Sequence, residues 1–201
     1  MHWQKLDREH TIKVIKSVQS PENQGMIAQG TSEVKRAKAR FYEDHDIYRV
    51  TNFASLPSFT FEFISDGTFY HYLDGTEHAI YTVNDKGALR LEEHNVLDYL
   101  EFFFQYVSQD DEDAVLIVNP RDMPLLDSLD ADAYDAVFNH HKPPTVKTLS
   151  DDDFQIEADI YLESHMVRAT INVTTKGRVT ITKQQSSMQT VMKSPAETSY
   201  L

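Results

Sequence analysis

Between Phe154 and Ile181 apolar residues return at every second position, and that alternation restricts the possible folds more than any other feature of the chain. Phe154, Ile156, Ala158, Ile160 and Leu162 form one run, Val167, Ala169, Ile171 and Val173 a second, and Val179 and Ile181 a third. A period of two puts each run on one face of a sheet. Turn chemistry sets the breaks. With Ser164-His165 as the first turn, Tyr161 pairs with Arg168 and Asp159 with Thr170. With Thr175-Lys176-Gly177 as the second, Val173 pairs with Val179 and Ile171 with Ile181, Gly177 supplying the left-handed residue. The segment reads as a three-stranded antiparallel meander with one apolar face.

Such a face needs a cover, and the run Val96 to Val107 offers one. Read as a helix, it is polar only at Asp98, Glu101 and Gln105, which form a single narrow stripe. Asn95 stands where an N-cap belongs, with Asp98 three residues on. Tyr99, Phe102, Phe103, Phe104 and Tyr106 make this an aromatic-rich central helix gripped by a curved sheet.

The rest of the chain fits around that pair. Leu6, Val14, Ile15 and Val18 lie near one side of a helix over 5–18 capped by Asp7, although the alternation in Thr11–Ile15 leaves a strand open. Residues 19–31 read as a loop, and 33–92 carry β signals. If Asp66-Gly67 is a two-residue hairpin turn, Glu62 faces His71, and Phe61, Phe63, Tyr70 and Tyr72 share the opposite face. Ala114–Val118 reads as a short buried strand, and 130–140 as a helix with Tyr134, Val137 and Phe138 inside. The expected fold class is α+β, with antiparallel sheets packed around the central helix and the meander closing the chain. One domain is expected over 1–183, with 1–32 as its N-terminal helix and loop and 184–201 as a flexible tail.

Chemistry is harder to find in these residues. The absence of cysteine excludes disulfides, thiol nucleophiles and thiolate metal sites in this chain. The start, MHWQKLDREH, lacks the basic-then-apolar order of a secretory signal, and no apolar run reaches membrane-helix length, so a cytoplasmic protein is expected. A net charge of −13 opposes phosphate backbones and disfavours nucleic acid, leaving Lys35, Arg36, Lys38 and Arg40 as a local basic cluster on a solvated face. Nothing matches a phosphate loop, G-x-S-x-G or HExxH. Asp127, Asp130, Asp132 and Asp135 lack the glycine and terminal glutamate of a calcium loop and suit a helix start instead. His140 and His141 diverge by about 100° on a helix, so no metal site is expected. Glu62/His71 and Asp46/His45 are the acid–base pairs on offer, and no catalytic residue or cofactor is assigned.

The function expected is that of a non-catalytic acidic interaction protein with a protein partner. Its candidate contact face is the outer side of the meander: Asp159, Tyr161, Arg168, Thr170, Asn172, Arg178 and Thr180. The alternative is a small-molecule-binding protein or enzyme with a cavity between the sheet and the helix at 96–107. Tyr70, Tyr72, Tyr99 and Tyr106 would then present hydroxyls into it.

Overall fold

A computed structural model describes residues 1–21, 23, 25–108, 114–149, 151–162 and 165–188. The chain divides into two compact units, 1–98 and 99–201.

The first unit opens with a short strand the sequence pattern did not reveal, β1 (Trp3–Lys5), followed by helix α1 (Arg8–Val18). Asp7 caps α1 as expected: its backbone is extended and its carboxylate accepts the His10 N–H at 2.9 Å. Glu9 in the first turn and Lys16 in the last both suit the helix dipole. Strands β2 (Ser32–Lys38), β3 (Asp46–Asn52), β4 (Phe59–Ser65) and β5 (Tyr70–Tyr72) join β1 in an antiparallel sheet of order β1-β2-β3-β4-β5. α1 lays Val14, Ile15 and Val18 into a cluster with Ile27, Val34, Tyr48, Val50 and Phe63.

Two expectations fail in this unit. The β4–β5 register is Phe63↔Tyr72 and Ile64↔His71, two residues from the pairing that a two-residue turn would impose. The loop is wider because Asp66 Oδ1 accepts the backbone N–H groups of both Thr68 and Phe69, at 2.8 and 2.9 Å. The expected Glu62–His71 contact does not form, and Glu62 pairs instead with Arg49, opposite it on β3. Second, residues 78–85, counted among the β signals, form helix α2 (His78–Asp85). Ile80, Thr82 and Val83 favour strands by propensity, but Ala79, Ile80 and Val83 are all buried on one helical side. Gly87, at φ 81°, ends the helix in the left-handed conformation.

Helix α3 (Val96–Tyr106) spans the division between the units. Its exposed positions are Asp98, Glu101 and Gln105, the stripe read from the sequence. Asn95 does not serve as simply as expected. Its side chain turns back, accepting the Glu92 N–H and donating to the Arg90 carbonyl, so it fastens the turn before the helix.

In the second unit, β6 (Val115–Ile117), α4 (Ala131–His140) and β7 (Thr145–Thr148) precede the long strands β8 (Phe154–Leu162), β9 (His165–Val173) and β10 (Val179–Met188). The sheet runs β10-β9-β8, and β7 and β6 share the far edge of β8, along Phe154–Glu157 and Asp159–Tyr161 respectively. The β9–β10 hairpin has the expected register, Val173↔Val179 and Ile171↔Ile181, with Gly177 at φ 72°. The β8–β9 pairing is Asp159↔Arg168 and Leu162↔His165, again two residues from expectation; the connection at 163–164 lies outside the described residues. Residues 184–188, expected to begin the tail, continue β10 along β9, and 189–201 lie outside the described residues.

Phe154, Ile156, Ala158, Ile160, Ala169, Ile171 and Val173 are buried, as the alternation requires. The aromatic cluster of α3 is buried too, and Tyr99 donates its hydroxyl to the Gly177 carbonyl at 2.6 Å, tying the helix to the β9–β10 turn. The other side of the sheet is not simply solvated. Met166 joins Ile117, Met123, Leu126 and Val137 in a second apolar cluster, with Tyr161 packed against it. On α4 the inward residue is Val137; Tyr134 and Phe138, expected inside with it, stack on each other at 4.9 Å and stand open to solvent.

Candidate functional site

Within the first unit the aromatic side chains on the α1 side of β4 form a graded column. Phe63 is buried, Phe61 half-buried and Phe59 exposed, while Tyr72 on β5 lies 5.5 Å from Phe63 and 6.0 Å from Phe61 and is itself exposed. The column runs out into the loop at 53–58, where Phe53 is 63% and Leu56 99% exposed. The first two residues of this loop are anchored through their backbone. Phe53 N–H donates to the Thr31 carbonyl at 3.0 Å, and Ala54 N–H to Asn52 Oδ1 at 2.9 Å. Asn52 is buried and donates through its amide to the Met26 carbonyl at 2.9 Å, which brings exposed Met26 to the same end of the sheet. The result is a fixed hairpin end that presents Met26, Phe53, Leu56 and Phe59 to solvent. Apolar residues gathered in this way mark contact surfaces more than scattered ones do.

The seven residues expected on the meander's contact face have diverse surroundings. Asp159 is 1% exposed, with Oδ2 accepting the Lys142 N–H at 2.8 Å and Oδ1 3.3 Å from the Arg168 guanidinium. Arg168 also donates to the carbonyls of Lys142 and Glu157. His141 Nδ1 lies 3.0 Å from Asp159 Oδ2 but makes no hydrogen bond with it. Asp159 and Arg168 thereby lock the α4–β7 connection onto β8. Tyr161 belongs to the second apolar cluster, and Thr170 donates to Glu157 Oε1 at 2.7 Å. Asn172 and Arg178 are half-buried, and Thr180 is exposed. The alternation could not show this, because the covering segment at 120–143 is distant in sequence from the strands it covers.

The four tyrosines expected at a ligand cavity divide between the units. Tyr99 and Tyr106 are buried in the second, and the Tyr99 hydroxyl is committed to Gly177. Tyr72 is exposed in the first. Tyr70 packs edge-on against Tyr48 at 5.2 Å and lines a cleft of about 270 Å3 with Lys13, Arg36, Asp46 and Asp66. Burial, reinforced by neighbouring Tyr48, pushes the Tyr70 phenol up to about 12, so it serves there as a neutral hydroxyl. In the second unit an open groove of about 410 Å3 runs between α3 and β6, lined by Glu101, Phe104, Gln105 and Leu116.

Three of the four basic cluster residues have carboxylate neighbours: Lys35 beside Glu33 at 3.3 Å, and Arg36 and Lys38 beside Asp46 at 3.6 and 3.4 Å. His45 pairs with Asp44 rather than Asp46, through Nδ1 at 2.7 Å from Oδ1. His140 and His141 part as their adjacency on α4 requires, one onto the Ala136 carbonyl and the other towards Asp159. Among the described residues no group of three or more His, Cys, Asp or Glu side chains is arranged to hold a metal ion, and no helix is long and apolar enough to cross a membrane. No protein-family model, curated protein or solved structure matches this chain.

Proposed function

We propose that this chain is a non-catalytic binding protein of the cytoplasm that captures a protein partner through the hairpin end around Phe53, Leu56 and Phe59. The observation that carries the reading is the combination of nearly complete exposure at Leu56 with a loop anchored at its start by the backbone of Phe53 and Ala54. A surface already held in its binding shape loses little entropy when it docks. Phe53 and Phe59 belong to the aromatic class enriched at the cores of protein interfaces. The charge of −13 defines the partner's rim: basic residues around an apolar patch, steered to this chain over a distance set by salt.

The test compares the native chain with the variant Phe53→Ser/Leu56→Ser/Phe59→Thr in quantitative pull-downs at about 50 and 300 mM salt, bracketing strong and weak screening. The reading requires a basic protein retained by the native chain and lost by the variant, with weaker retention at high salt. A partner set identical for both chains overturns it.

A further inference from the structure

A second feature of the first unit lies away from the apolar hairpin end. Three connections meet at a cleft of about 380 Å3: the β2–β3 turn with Asp44 and His45, the β4–β5 loop with Asp66, Phe69 and His71, and the end of α2 with Lys86. Its walls are built. The His45 side chain is buried, its Nδ1 held by Asp44 and its ring 5.9 Å from Tyr42, whose hydroxyl donates to Asn84 Oδ1 at 2.7 Å. Held by Asp44 through Nδ1, the His45 ring is fixed in orientation and forms a wall of the cleft.

Lys86 Nζ stands 3.2 Å from His71 Nε2. An ammonium can only donate, so His71 accepts through Nε2 and is neutral in this arrangement. Among the described residues no carboxylate lies within ion-pair distance of Lys86. The acids of the cleft already have donors. Glu43 is 2.7 Å from Arg90, Asp44 is engaged by His45, and Asp66 Oδ1 accepts two backbone N–H groups. The Phe69 N–H, ahead of Thr68, holds the Asp66 carboxyl below the usual range despite opposing burial.

We propose that this cleft is a proton-linked oxyanion site: Lys86 and His71 converge as nitrogen donors on a phosphate monoester whose apolar body lies over Phe69, with the His45 ring as part of the wall. Lys86 spends a hydrogen bond on an imidazole. An incoming oxyanion takes that bond, His71 accepts a proton from solvent, and both side chains then donate to the ligand. No bond in the ligand is broken. The groups around His71 make the uptake conditional. Burial, Lys86 and His45 hold its pKa below the ordinary histidine value, Asp66 opposes them, and His78 on α2 adds a smaller lowering effect. A bound anion reverses the balance, so binding and protonation favour each other.

The experiment is an NMR titration of the histidine ring signals of the whole chain with phenyl phosphate and with phenyl sulfate, whose charge is constant across the pH range used. The expected result is saturable movement of the His71 signals towards the imidazolium position. Phenyl sulfate affinity should fall up to about tenfold per pH unit between the free and bound pKa values of His71, as uptake of one proton requires. Lys86→Met and His71→Gln, both at accessible positions, should each lower affinity about tenfold or more with the melting temperature unchanged. Leu56→Ser should bind normally, which separates this site from the hairpin end. Affinity indifferent to pH, affinity unchanged in both variants, or absence of saturation at millimolar ligand overturns the proposal.

Discussion

Asp159 and Leu56 occupy inverted environments. A carboxylate sits at 1% exposure in the second unit, and an aliphatic side chain at 99% in the first. Both placements run against the usual partition of polar and apolar groups, yet their surroundings differ in kind. Asp159 is enclosed by donors that belong to the fold, the Lys142 N–H and the Arg168 guanidinium, with the His141 ring beside them. Around Leu56 the side chain has no cover, and the start of its loop is anchored by the backbone N–H groups of Phe53 and Ala54. A buried charge with a full set of partners is a fastening, and its residues are occupied in holding the chain together. An open apolar side chain on a fixed loop leaves a surface for something else to cover. The meander residues expected to face a partner therefore include two that act inside the molecule.

The largest effect should follow from breaking the fastening. Asp159→Ala removes the acceptor shared by Lys142 and Arg168 and leaves a half-buried guanidinium unpaired, so it should cost about 3–5 kcal/mol. That is a large share of the ~5–15 kcal/mol available to an ordinary domain. Urea unfolding measures it directly. Asp159→Leu/Arg168→Met should not recover the loss. Replacement of a buried ion pair by apolar residues can be neutral elsewhere, but here Arg168 also serves the Lys142 and Glu157 carbonyls. Full recovery would show that the ion pair alone holds the connection.

A middle-sized effect is expected at Tyr99, where a buried polar atom again has a partner within the fold. Tyr99→Phe keeps the ring in the aromatic cluster and deletes the hydroxyl that donates to Gly177. The cost should be about 1 kcal/mol, the usual value of such a bond, seen as a lower urea midpoint with an unchanged slope. A loss near zero would mean that the helix is held by its rings alone.

Much of this molecule is legible in its residue order, and the failures share a cause. The exposed stripe of α3, the Asp7 cap and the β9–β10 register follow from spacing and turn residues visible in the sequence. Both misregistered hairpins, β4–β5 and β8–β9, are displaced by two residues. A period-two pattern is blind to that shift, since it returns every side chain to its own face. Phe61, Phe63, Tyr70 and Tyr72 thus keep their common side while Glu62 changes partner. Only the turn could fix the register, and Asp66 widened it by binding two backbone N–H groups. α2 was hidden by its β-branched residues, although Gly87 signalled a helix end. The hairpin end and the histidine cleft were illegible for another reason. The cleft gathers residues from separate connections and has no sequence spacing of its own, while the hairpin end lies in one loop whose exposure no pattern announces.

The smallest effect, and the sharpest discriminator, belongs to Leu56. If its exposure is a feature of the fold, Leu56→Ser removes no buried contact and should change stability by less than about 0.5 kcal/mol. A cost of about 2 kcal/mol or more would mean that the side chain is covered in the isolated chain, as burial of a leucine would require. Phe59→Thr gives the graded comparison. At 44% exposure it lies between open Leu56 and buried Phe63, so its cost should fall between theirs. An ordered series Leu56, Phe59, Phe63 in urea midpoints would identify the place along the column where the core stops contributing to stability. Partner capture that follows the reverse order would show the surface beginning at the same place.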